Sequence, residues 1–420
     1  MARSVYDAVV IGGGVAGAAS ALLLARAGAR VLIAERQALM GEQLSTHALT
    51  RPAVELLARW GLMDTLLDQG APLISQIRFQ YASETIPIPV RPTAMVEGLI
   101  APRRRSLNWT LLDAAVAAGA DLATGTTAEA CVWRNDRIAG LVLGDATGRE
   151  RAVTAGLVIG ADGRDSGLAE MLGAEVLARS ASRSATIYGY FQNLPTDGHH
   201  WCFGKGVAAG VIPTNDGLYC VYASCRPSDY REKFGAEPLD GLTATFGGFR
   251  PVWAEQLLAG PAERLRRFNG APGLMRRRAG KGWALVGDAA CYKDPITAHG
   301  ITDALLDAEA LARTCLGQEG LGSYHDTRHA AAVPVFETTQ QIASFDWNIS
   351  GLKALHGTLH SCIRAEQSTV IASRVAAVCS SRSSAPLPVS GMCRATTARS
   401  RLEGSAIDRN AIHSPSLSFE

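Results

Sequence analysis

Apolar and glycine positions at the start of the chain predict a strand, a helix and a second strand. Residues 6–11 (YDAVVI) form a short, mostly apolar run that ends at three glycines, as buried parallel strands often do. Residues 15–26 are dominated by alanine and leucine, which favour a helix, and Gly28 provides a helix end. Residues 30–35 (RVLIAE) return to strand character. The chain therefore opens with a βαβ unit of about 30 residues.

Later segments extend this α/β pattern and add a second, sheet-based lobe. Apolar residues recur at three- and four-residue spacing over residues 53–67 and 107–118, which predicts helices. Residues 74–90 alternate more like strands and predict a β hairpin that interrupts the first lobe. The remaining predicted elements are strands at 156–163, within 185–225 and at 282–286, and a helix at 302–315.

Composition narrows the class of protein. The 420 residues are 47% hydrophobic, and 41 Lys+Arg against 39 Asp+Glu leave a net charge of +2. Such a small excess, without a basic stripe, predicts no nucleic-acid partner. Nine scattered cysteines without a C-x-x-C pair disfavour zinc ribbons, iron–sulfur clusters and a disulfide scaffold. No run approaches the ~18 apolar residues of a membrane span and the N-terminus is unlike a signal peptide, so we expect a cytoplasmic protein without a membrane partner.

A glycine-rich loop joins the first predicted strand to the first helix. Gly12, Gly14 and Gly17 fit the pattern G-x-G-x-x-G, with Val15 and Ala16 before the last glycine. Gly12 permits a tight turn, Gly14 lets the backbone approach a diphosphate, and Gly17 lets the helix pack close to the strand. The helix N-terminus then offers unpaired N–H groups and a positive dipole end to phosphates.

An acidic residue completes a dinucleotide fingerprint. Glu35 lies 18 residues after Gly17, at the end of the second predicted strand, where its carboxylate can accept hydrogen bonds from both ribose hydroxyls of an adenosine. The neighbouring Arg36 is assigned to the same site. These residues by themselves leave FAD and NAD as open alternatives.

Two later segments decide between these cofactors. The first is GADG at residues 160–163, and the second runs from LVGDAA at 285–290 to TAHGI at 297–301 and DAEALA at 307–312. In this order, they resemble the FAD motifs of the flavoprotein monooxygenases built like p-hydroxybenzoate hydroxylase. The resemblance covers roughly residues 5–370. It implies an α/β fold: a Rossmann-like FAD-binding domain of the glutathione-reductase type, with an inserted α+β substrate domain of mostly antiparallel sheet.

The resemblance implies roles for residues at matching positions. Asp288 would bind the hydroxyls of the ribityl chain of the flavin, and the loop that follows would place backbone N–H groups beside its ring system. Among three adjacent arginines, Arg104 is the one expected to meet FAD. Besides the glycine loop, Glu35 and Arg36, the expected cofactor-binding residues are Arg51, Arg104, Asp162, Gly287, Asp288, Pro295, Gly300 and Ile301.

Two histidines are the candidate catalytic residues. His47, in the stretch STHAL at residues 45–49, resembles the part of the family that lines the flavin from the side. His299 precedes Gly300 and could donate a hydrogen bond to flavin or substrate, although a structural role for it is an equal alternative. The histidine pairs 325/329 and 356/360 lack the glutamate of H-E-x-x-H, so no metal site is expected.

The resemblance implies monooxygenase chemistry. In this family NAD(P)H is a transient reductant of the flavin, O2 adds to give a C4a-hydroperoxide, and one oxygen passes to a small organic substrate, here expected to be aromatic or polycyclic. Ala169 stands where typical hydroxylases have an arginine, and the chain has no second glycine fingerprint for NAD(P)H. Either NAD(P)H docks transiently, or reduced flavin arrives from a partner flavin reductase.

Two other functions stay open. A flavin-dependent double-bond reductase of the geranylgeranyl reductase type shares the fold and the Gly300-Ile301 style of final motif. A flavin-binding protein of low activity is the other, because the sequence becomes rich in Ser, Arg and Pro beyond about residue 374. Halogenation is disfavoured, since the chain has no lysine before Lys205 and lacks a W-x-W-x-I-P element.

The expected domain organisation follows from these segments. The FAD-binding domain is predicted to be discontinuous, with the substrate domain inserted into it. The predicted boundaries are 1–73, 98–178 and 275–325 for the FAD-binding domain, 74–97 and 179–274 for the substrate-binding domain, 326–375 for a helical C-terminal segment and 376–420 for a disordered tail.

Overall fold

The computed structural model describes residues 4–372 apart from 39–40, 42–44, 46, 236 and 318. The predicted tail at 376–420 lies outside the described residues. In chain order the strands are β1 (Ser4–Ile11), β2 (Val31–Glu35), β3 (Gln76–Tyr81), β4 (Glu84–Pro89), β5 (Asp121–Thr124), β6 (Thr126–Arg134), β7 (Arg137–Asp145), β8 (Glu150–Gly160), β9 (Val176–Arg179), β10 (Ala185–Phe191), β11 (His199–Gly204), β12 (Val207–Pro213), β13 (Tyr219–Cys225), β14 (Arg266–Phe268), β15 (Leu274–Arg276), β16 (Ala279–Gly280), β17 (Trp283–Leu285) and β18 (Cys291–Tyr292).

Helices connect these strands and cover the sheets. The predicted helix at 53–67 is in fact two helices, because Gly61 adopts a φ of +71° and ends the first of them. In chain order the helices are α1 (Val15–Arg26), α2 (Arg51–Arg59), α3 (Met63–Asp68), α4 (Arg104–Ala117), α5 (Gly167–Met171), α6 (Tyr230–Phe234), α7 (Pro238–Gly247), α8 (Pro251–Leu257), α9 (Gly300–Leu316), α10 (Leu321–Ala343) and α11 (Ile349–Ala372).

The first sheet contains the predicted βαβ unit. Its strand order is β16-β17-β8-β1-β2-β5, with β7 paired to β8 and β6 paired to β7. β1 pairs in parallel with β2 and β8, and β17 pairs in parallel with β8. Ile11 stands beside Ala34 and Gly160, and Gly160 stands beside Leu285. The carboxyl ends of these four strands therefore meet at one edge of the sheet, the usual place for a ligand in such folds.

Burial on both faces explains the continuous apolar runs of these strands. Val10 of β1 belongs to the core formed with α1, α4 and α9 on one face of the sheet. Its neighbour Val9 belongs to the opposite core, under β7 and α5. Because both faces are covered there, residues 8–11 of the strand are apolar without alternation.

The second sheet has seven strands in the order β14-β10-β13-β12-β11-β3-β4. Its pairs are antiparallel except that of β3 with β11, which is parallel. The predicted hairpin at 74–90 forms β3 and β4 at one edge of this sheet. A small third sheet pairs β15 with β9 and β18. The predicted fold class, a Rossmann-like domain with a mostly antiparallel substrate part, is confirmed.

The two faces of β10 serve different parts of the molecule. Ile187 and Phe191 face the core formed with α7 and α8. Tyr188 and Tyr190, one position out of phase, face the first lobe and pack in a cluster that includes Ala48. The seven-stranded sheet therefore presents an aromatic face to the edge where the parallel strands end.

Two long helices follow the last strands. α10 packs against α9, and α11 packs against both α10 and α2. α11 is anchored to α2 by a hydrogen bond of 3.0 Å from the amide of Gln367 to Glu55. None of the described helices is both long and apolar enough to cross a bilayer.

Candidate cofactor and active site

A cavity of about 690 Å³ opens at the carboxyl edge of the parallel strands. Its volume falls within the range of about 300–1,000 Å³ that is usual for small-molecule and cofactor sites. Most of the predicted cofactor-binding residues line it, although they come from six separate stretches of sequence. These residues are Gly12, Gly14, Val15, Ala16, Glu35, Arg36, Arg104, Asp162, Asp288, Pro295, Gly300 and Ile301.

The remaining predicted residues lie outside the cavity lining. Gly17 and Gly287 are required by the local backbone conformation. A Cβ on Gly17 would lie 1.9 Å from the carbonyl oxygen of Gly12, and Gly287 has a φ of +60°. Arg51 heads α2 and donates a hydrogen bond of 2.8 Å to the carbonyl oxygen of Arg91. The two candidate catalytic histidines, His47 and His299, are also buried behind the wall.

The glycine loop leaves room for a ligand at Gly14. A Cβ on Gly12, which has a φ of +102°, would meet the carbonyl oxygen of Ala161 at 2.4 Å. A Cβ on Gly14 would meet no protein atom within 4 Å. Gly14 is also the N-cap residue of α1, and no side chain caps this helix. The free N–H groups of the first turn therefore face the cavity, as a diphosphate site requires.

Glu35 is fixed at the other side of this loop. Its Oε2 accepts a hydrogen bond of 2.7 Å from the backbone N–H of Gly13, and its Oε1 accepts one of 2.8 Å from that of Gln37. An ionised carboxylate has about four lone-pair sites, so both oxygens can accept further bonds from a ligand. This geometry fits the predicted contact with ribose hydroxyls.

Asp288 lines the opposite part of the cavity and is not used by the protein. Across the described chain its carboxylate accepts no hydrogen bond, and it caps no helix. Burial raises the pKa of Asp288 from 3.8 to about 6, although Lys293 and Arg104 act against this shift. A partly buried acceptor that faces a cavity and has no donor from the protein can accept a ligand hydroxyl or N–H. The residue therefore fits the ribityl contact that the resemblance implies.

The two other charged motif residues have different environments. Asp162 accepts hydrogen bonds from Ser166 Oγ at 2.5 Å and from the backbone N–H of Leu168 at 3.1 Å, so it also holds the start of α5. Arg103 pairs with Glu263 at 2.6 Å and stacks on Tyr190. Its neighbour Arg104 lines the cavity, which agrees with the choice of Arg104 among the adjacent arginines.

His47 is held rigidly behind the cavity wall. Its Nε2 lies 2.5 Å from the hydroxyl oxygen of Tyr190, and its backbone adopts a φ of +64°, unusual for a residue with a Cβ. Burial, assisted by Arg104 and Arg103, lowers the pKa of His47 to about 3, so the ring is neutral. Within the described residues the buried Nδ1 has no partner.

The seven-stranded sheet supplies a wall that the motifs did not predict. Thr186, Tyr188 and Phe268 line the cavity from β10 and β14, opposite the glycine loop. Arg164 stands beside them, with its guanidinium carbon 5.1 Å from the ring centre of Tyr292. In sequence, aromatic residues at strand spacing indicate core packing more often than a site, so the fold is needed to identify these residues.

A buried row of charges lies behind the last motif. Lys293 forms an ion pair with Asp303, whose Oδ1 lies 3.1 Å from Arg328. Arg328 then pairs with Asp307 at 2.7 Å, and Asp307 pairs with Arg278 at 2.7 Å. Asp307 also accepts the backbone N–H of Gly287 at 2.9 Å. The row thereby fixes the backbone beside Asp288. The sequence did not predict this row, because its members are spread over 50 residues.

His299 belongs to the edge of this charged row. Its Nε2 lies 3.0 Å from Glu366 of α11 and 4.0 Å from Asp303. Ligand atoms of these three residues lie within 4.8 Å of one another, which is close enough for a metal ion. Asp303 is already engaged by the ammonium of Lys293 and the guanidinium of Arg328, however, and these cations would repel a metal. The arrangement fits a salt-bridged histidine better than a ligand set.

Comparison with known proteins agrees with the geometry. Residues 5–339 match the FAD binding domain family. The chain belongs to this family. This flavoprotein is therefore an FAD-dependent oxidoreductase. Its cavity fits FAD, because there is open space beside the backbone of Gly14 and because the carboxylate of Asp288 accepts no hydrogen bond from the described residues.

Curated relatives of this flavoprotein include both reductases and a monooxygenase. Digeranylgeranylglycerophospholipid reductase 2 of Methanothermobacter thermautotrophicus is 29% identical over 321 residues, which are 70% of this chain and 74% of the relative. The Bacillus subtilis protein YhjG, described as an uncharacterized aromatic compound monooxygenase, is 25% identical over 364 residues, 83% of this chain and 70% of the relative.

Solved structures share the fold of this flavoprotein. PqsL of Pseudomonas aeruginosa, described as a probable FAD-dependent monooxygenase, superposes with a TM-score of 0.68 at 20% identity and covers 88% of this chain and all of its own. The myxobacterial halogenase CndH superposes with a TM-score of 0.67 at 21% identity, covering 88% of this chain and 97% of its own. At such identity the likeness shows the fold alone.

Two alanine substitutions in the glycine loop separate cofactor binding from folding. Gly14→Ala should leave the stability of the apoprotein unchanged or raise it by up to about 1 kcal/mol, since its φ of −67° suits alanine. It should weaken FAD binding at least roughly tenfold, about 1.4 kcal/mol, because the Cβ enters the space of the ligand. Gly17→Ala should cost about 1–3 kcal/mol or more of apoprotein stability by overpacking. Chemical denaturation and fluorescence titration with FAD measure both; wild-type FAD affinity in the Gly14 variant would contradict the assignment.

The raised pKa of Asp288 predicts how apoprotein stability depends on pH. Between pH 4 and 6 the Asp288 carboxyl group is protonated to a greater extent in the folded apoprotein than in the unfolded chain, so its contribution to stability becomes less favourable as the pH rises. Asp288→Asn removes this cost and should stabilise the apoprotein at pH 8 by roughly 1–2 kcal/mol, with little effect at pH 4. The gain is smaller than the ~3 kcal/mol of two pKa units, because water in the cavity screens the charge. FAD affinity should fall; a variant that keeps full affinity would argue against a ribityl contact.

For the pair of His299 and Glu366 we predict a loss of stabilisation on the opposite side of neutral pH: the pair stabilises the folded protein at low pH and loses this effect as the pH rises. Burial acts to lower the pKa of His299, but Glu366 and Asp303 outweigh both burial and the nearby Lys293 and raise it. A raised histidine pKa contributes stability that is present below pH 6.5 and lost as the pH rises through the folded-state value. Glu366→Gln should therefore lower the pKa of His299 in an NMR titration and destabilise the protein more at pH 6 than at pH 9.

A matched control is an exposed ion pair that also involves α11. Glu84 forms an exposed ion pair with Lys353 of α11, at 2.5 Å. Glu84→Gln should cost no more than about 0.5 kcal/mol, without a difference between the two pH values. If both glutamine variants behave alike, the pair of His299 and Glu366 does not have the charge state assigned here.

Proposed function

We propose that this flavoprotein is a monooxygenase that hydroxylates a small aromatic or polycyclic substrate, with NAD(P)H as reductant and O2 as oxygen donor. The observation that carries the proposal is the shared cavity: the FAD-binding edge of the parallel sheet and the aromatic face of the second sheet line one space. A substrate between these walls would lie against the reactive end of the cofactor. Bound FAD supplies electron transfer and oxygen activation, which protein side chains lack.

The residues of the second sheet suit a flat, largely apolar substrate. Tyr188 and Phe268 offer aromatic surfaces to the cavity, and Thr186 adds a hydroxyl. Aromatic side chains bury large areas and favour ring-shaped partners in stacked or edge-to-face geometry. Phe203, by contrast, packs with α10 and α11, and Trp201 packs against both that core and the cluster of Tyr188 and Tyr190. Neither of them lines the cavity. The substrate contacts proposed here are therefore confined to β10 and β14.

The walls can also exclude water from a reactive site. Tyr190 lies behind Tyr188, is 1% exposed and is fixed by His47. Because these residues are locked by packing and by a hydrogen bond, the aromatic wall is preorganised for substrate. His47 thereby acts as a positioning residue in this proposal, and it needs no change of protonation.

The source of electrons is part of the proposal. The position of the arginine of typical hydroxylases is occupied by Ala169, which is 1% exposed and lies in α5, where a longer side chain has no room. We therefore propose that NAD(P)H docks transiently at the open side of the cavity. A partner flavin reductase that delivers reduced flavin is the other source, and comparing NADH, NADPH and added reduced FAD distinguishes them.

A double-bond reductase is the second candidate. It is favoured by the 29% identity to a digeranylgeranylglycerophospholipid reductase over 70% of this chain. Such an enzyme would use the same FAD site and the same aromatic wall but would need no O2. The two functions are therefore distinguished by whether the reaction consumes O2 and places one of its atoms in the product.

The test measures where oxygen goes. The reduced holoenzyme is mixed with 18O2 and a panel of phenols, aromatic carboxylates and polyprenyl compounds, and products are analysed by mass spectrometry. We expect one 18O atom in an aromatic product, and H2O2 release when NAD(P)H is oxidised without substrate. Saturation of a polyprenyl double bond under anaerobic conditions would replace the monooxygenase with the reductase. FAD binding without turnover of either kind would indicate a protein of low activity.

A further inference from the structure

Lys293 is an unusual residue on the cavity wall. Of the five lysines of the chain, all of them described, it alone is buried, with a side chain 2% exposed. It lines the cavity together with Asp288, Pro295, Ala298 and Gly300. Burial of an ammonium group costs several kcal/mol unless it is well paired, so a buried lysine in a cavity is a candidate functional residue.

The surroundings of Lys293 keep it charged. Burial acts to lower the pKa of Lys293, but Asp303 outweighs burial and raises it above its usual value. The ammonium also lies 3.8 Å from the thiol sulfur of Cys291. Asp303 is in turn shared with Arg328, which fixes its position. The lysine therefore holds a permanent positive charge at a defined place.

One cation of the buried row reaches the cavity. Along the row Lys293, Arg328 and Arg278 meet two aspartates. Glu366 of α11 adds a third carboxylate, 4.0 Å from Arg328. Lys293 is the member of the row that lines the cavity, whereas its counter-ion Asp303 does not. Because Coulomb energy falls with distance, the lysine should dominate the potential that a ligand feels.

Two observations indicate that this charge acts inside the cavity. Among the charges near Asp288, Lys293 has the largest effect in holding its pKa below the value that burial alone would give. The N-terminus of the 17-residue helix α9 lies on the same wall, with Gly300 and Ile301 in the lining, and adds the positive end of its dipole. This wall therefore favours a ligand that gains negative charge.

We propose that Lys293 is an electrostatic residue of the FAD site, which stabilises the reduced cofactor and raises its reduction potential. A hydride donor such as NAD(P)H would pass two electrons and one proton to bound flavin and leave as NAD(P)+, which would add one negative charge to the ring system. The fixed ammonium of Lys293 would attract that charge and would have no such attraction for the neutral oxidised ring. The inference depends on FAD binding and not on the proposed oxygen chemistry.

The test compares the two-electron reduction potential of the holoenzyme in variants that differ in charge. Lys293→Gln keeps a hydrogen-bond donor for Asp303 and removes the charge, whereas Lys293→Arg keeps the charge. The glutamine variant should lower the equilibrium constant for reduction at least tenfold, about 30 mV for a two-electron couple, and the arginine variant should change it less than threefold. Lys281→Gln, which removes an exposed lysine paired with Asp136, is the matched control and should not shift the potential.

A merely structural role would give a different pattern. It would lower FAD affinity and thermal stability, measured in parallel, while leaving the potential of the bound flavin unchanged. A glutamine variant with the wild-type potential therefore overturns the proposal. A second variant, Asp303→Asn, removes the counter-charge and should shift the potential in the positive direction; a shift to lower potential would also overturn it.

The wild-type protein keeps the proposal testable if these variants do not fold. The potential of FAD bound to the wild-type enzyme should lie above that of free FAD, and a value at or below that of free FAD overturns the proposal. All potentials are measured anaerobically and without substrate. Failure of the hydroxylation assay would therefore leave this result intact, and the reverse also holds.

Discussion

Parallel pairing of β1 with β2 and β8, and of β8 with β17, is the constraint on which the site depends. The register places Ile11, Ala34, Gly160 and Leu285 side by side. Each strand then ends at the same edge, and the glycine loop, Glu35, Asp162 and Asp288 follow directly from those ends. The register of the strands, rather than contacts among the side chains, therefore brings residues that are far apart in sequence to one edge. The close approach of Gly17 to Gly12 holds α1 at this edge, where its N-terminus faces the cavity.

The second determinant of the site is charge. At one end of the cavity, the carboxylate of Glu35 is a hydrogen-bond acceptor that is held in place by the N–H of Gly13. At the other end, Lys293 and the N-terminus of α9 form a positively charged wall. Buried ion pairs are seldom the most stable way to fill a core, and the row from Lys293 to Arg278 fixes the backbone of Gly287, next to Asp288. Glu366 extends this row to α11, and the C-terminal helix is therefore coupled to the cofactor edge.

Sequence patterns predicted the fold class, and most of the residues that they assigned to the cofactor line the cavity, because both depend on local signals. The βαβ unit, the glycine loop and the aspartate at the end of β17 each follow from a short stretch of residues in a fixed order. The environment of His299 was not predictable, because its partner Glu366 is 67 residues away on a helix with no motif. The parallel pairing of β3 with β11 was missed for a similar reason, since it joins segments separated by more than 100 residues. The substrate wall at Tyr188 and Phe268 depends on which face of β10 and β14 is turned towards the first lobe, and aromatic spacing alone does not specify that.

One FAD molecule is expected to lie extended along this edge, from Glu35 across the glycine loop to Asp288. A crystal structure of the protein with FAD would show whether it does. We expect density for the adenosine ribose at Glu35, for the diphosphate at the backbone of Gly12 and Gly14, and for the ribityl chain at Asp288. The ring system should then reach the wall that carries Lys293 and Tyr188. FAD bound in the reverse direction, or outside this cavity, would contradict the account.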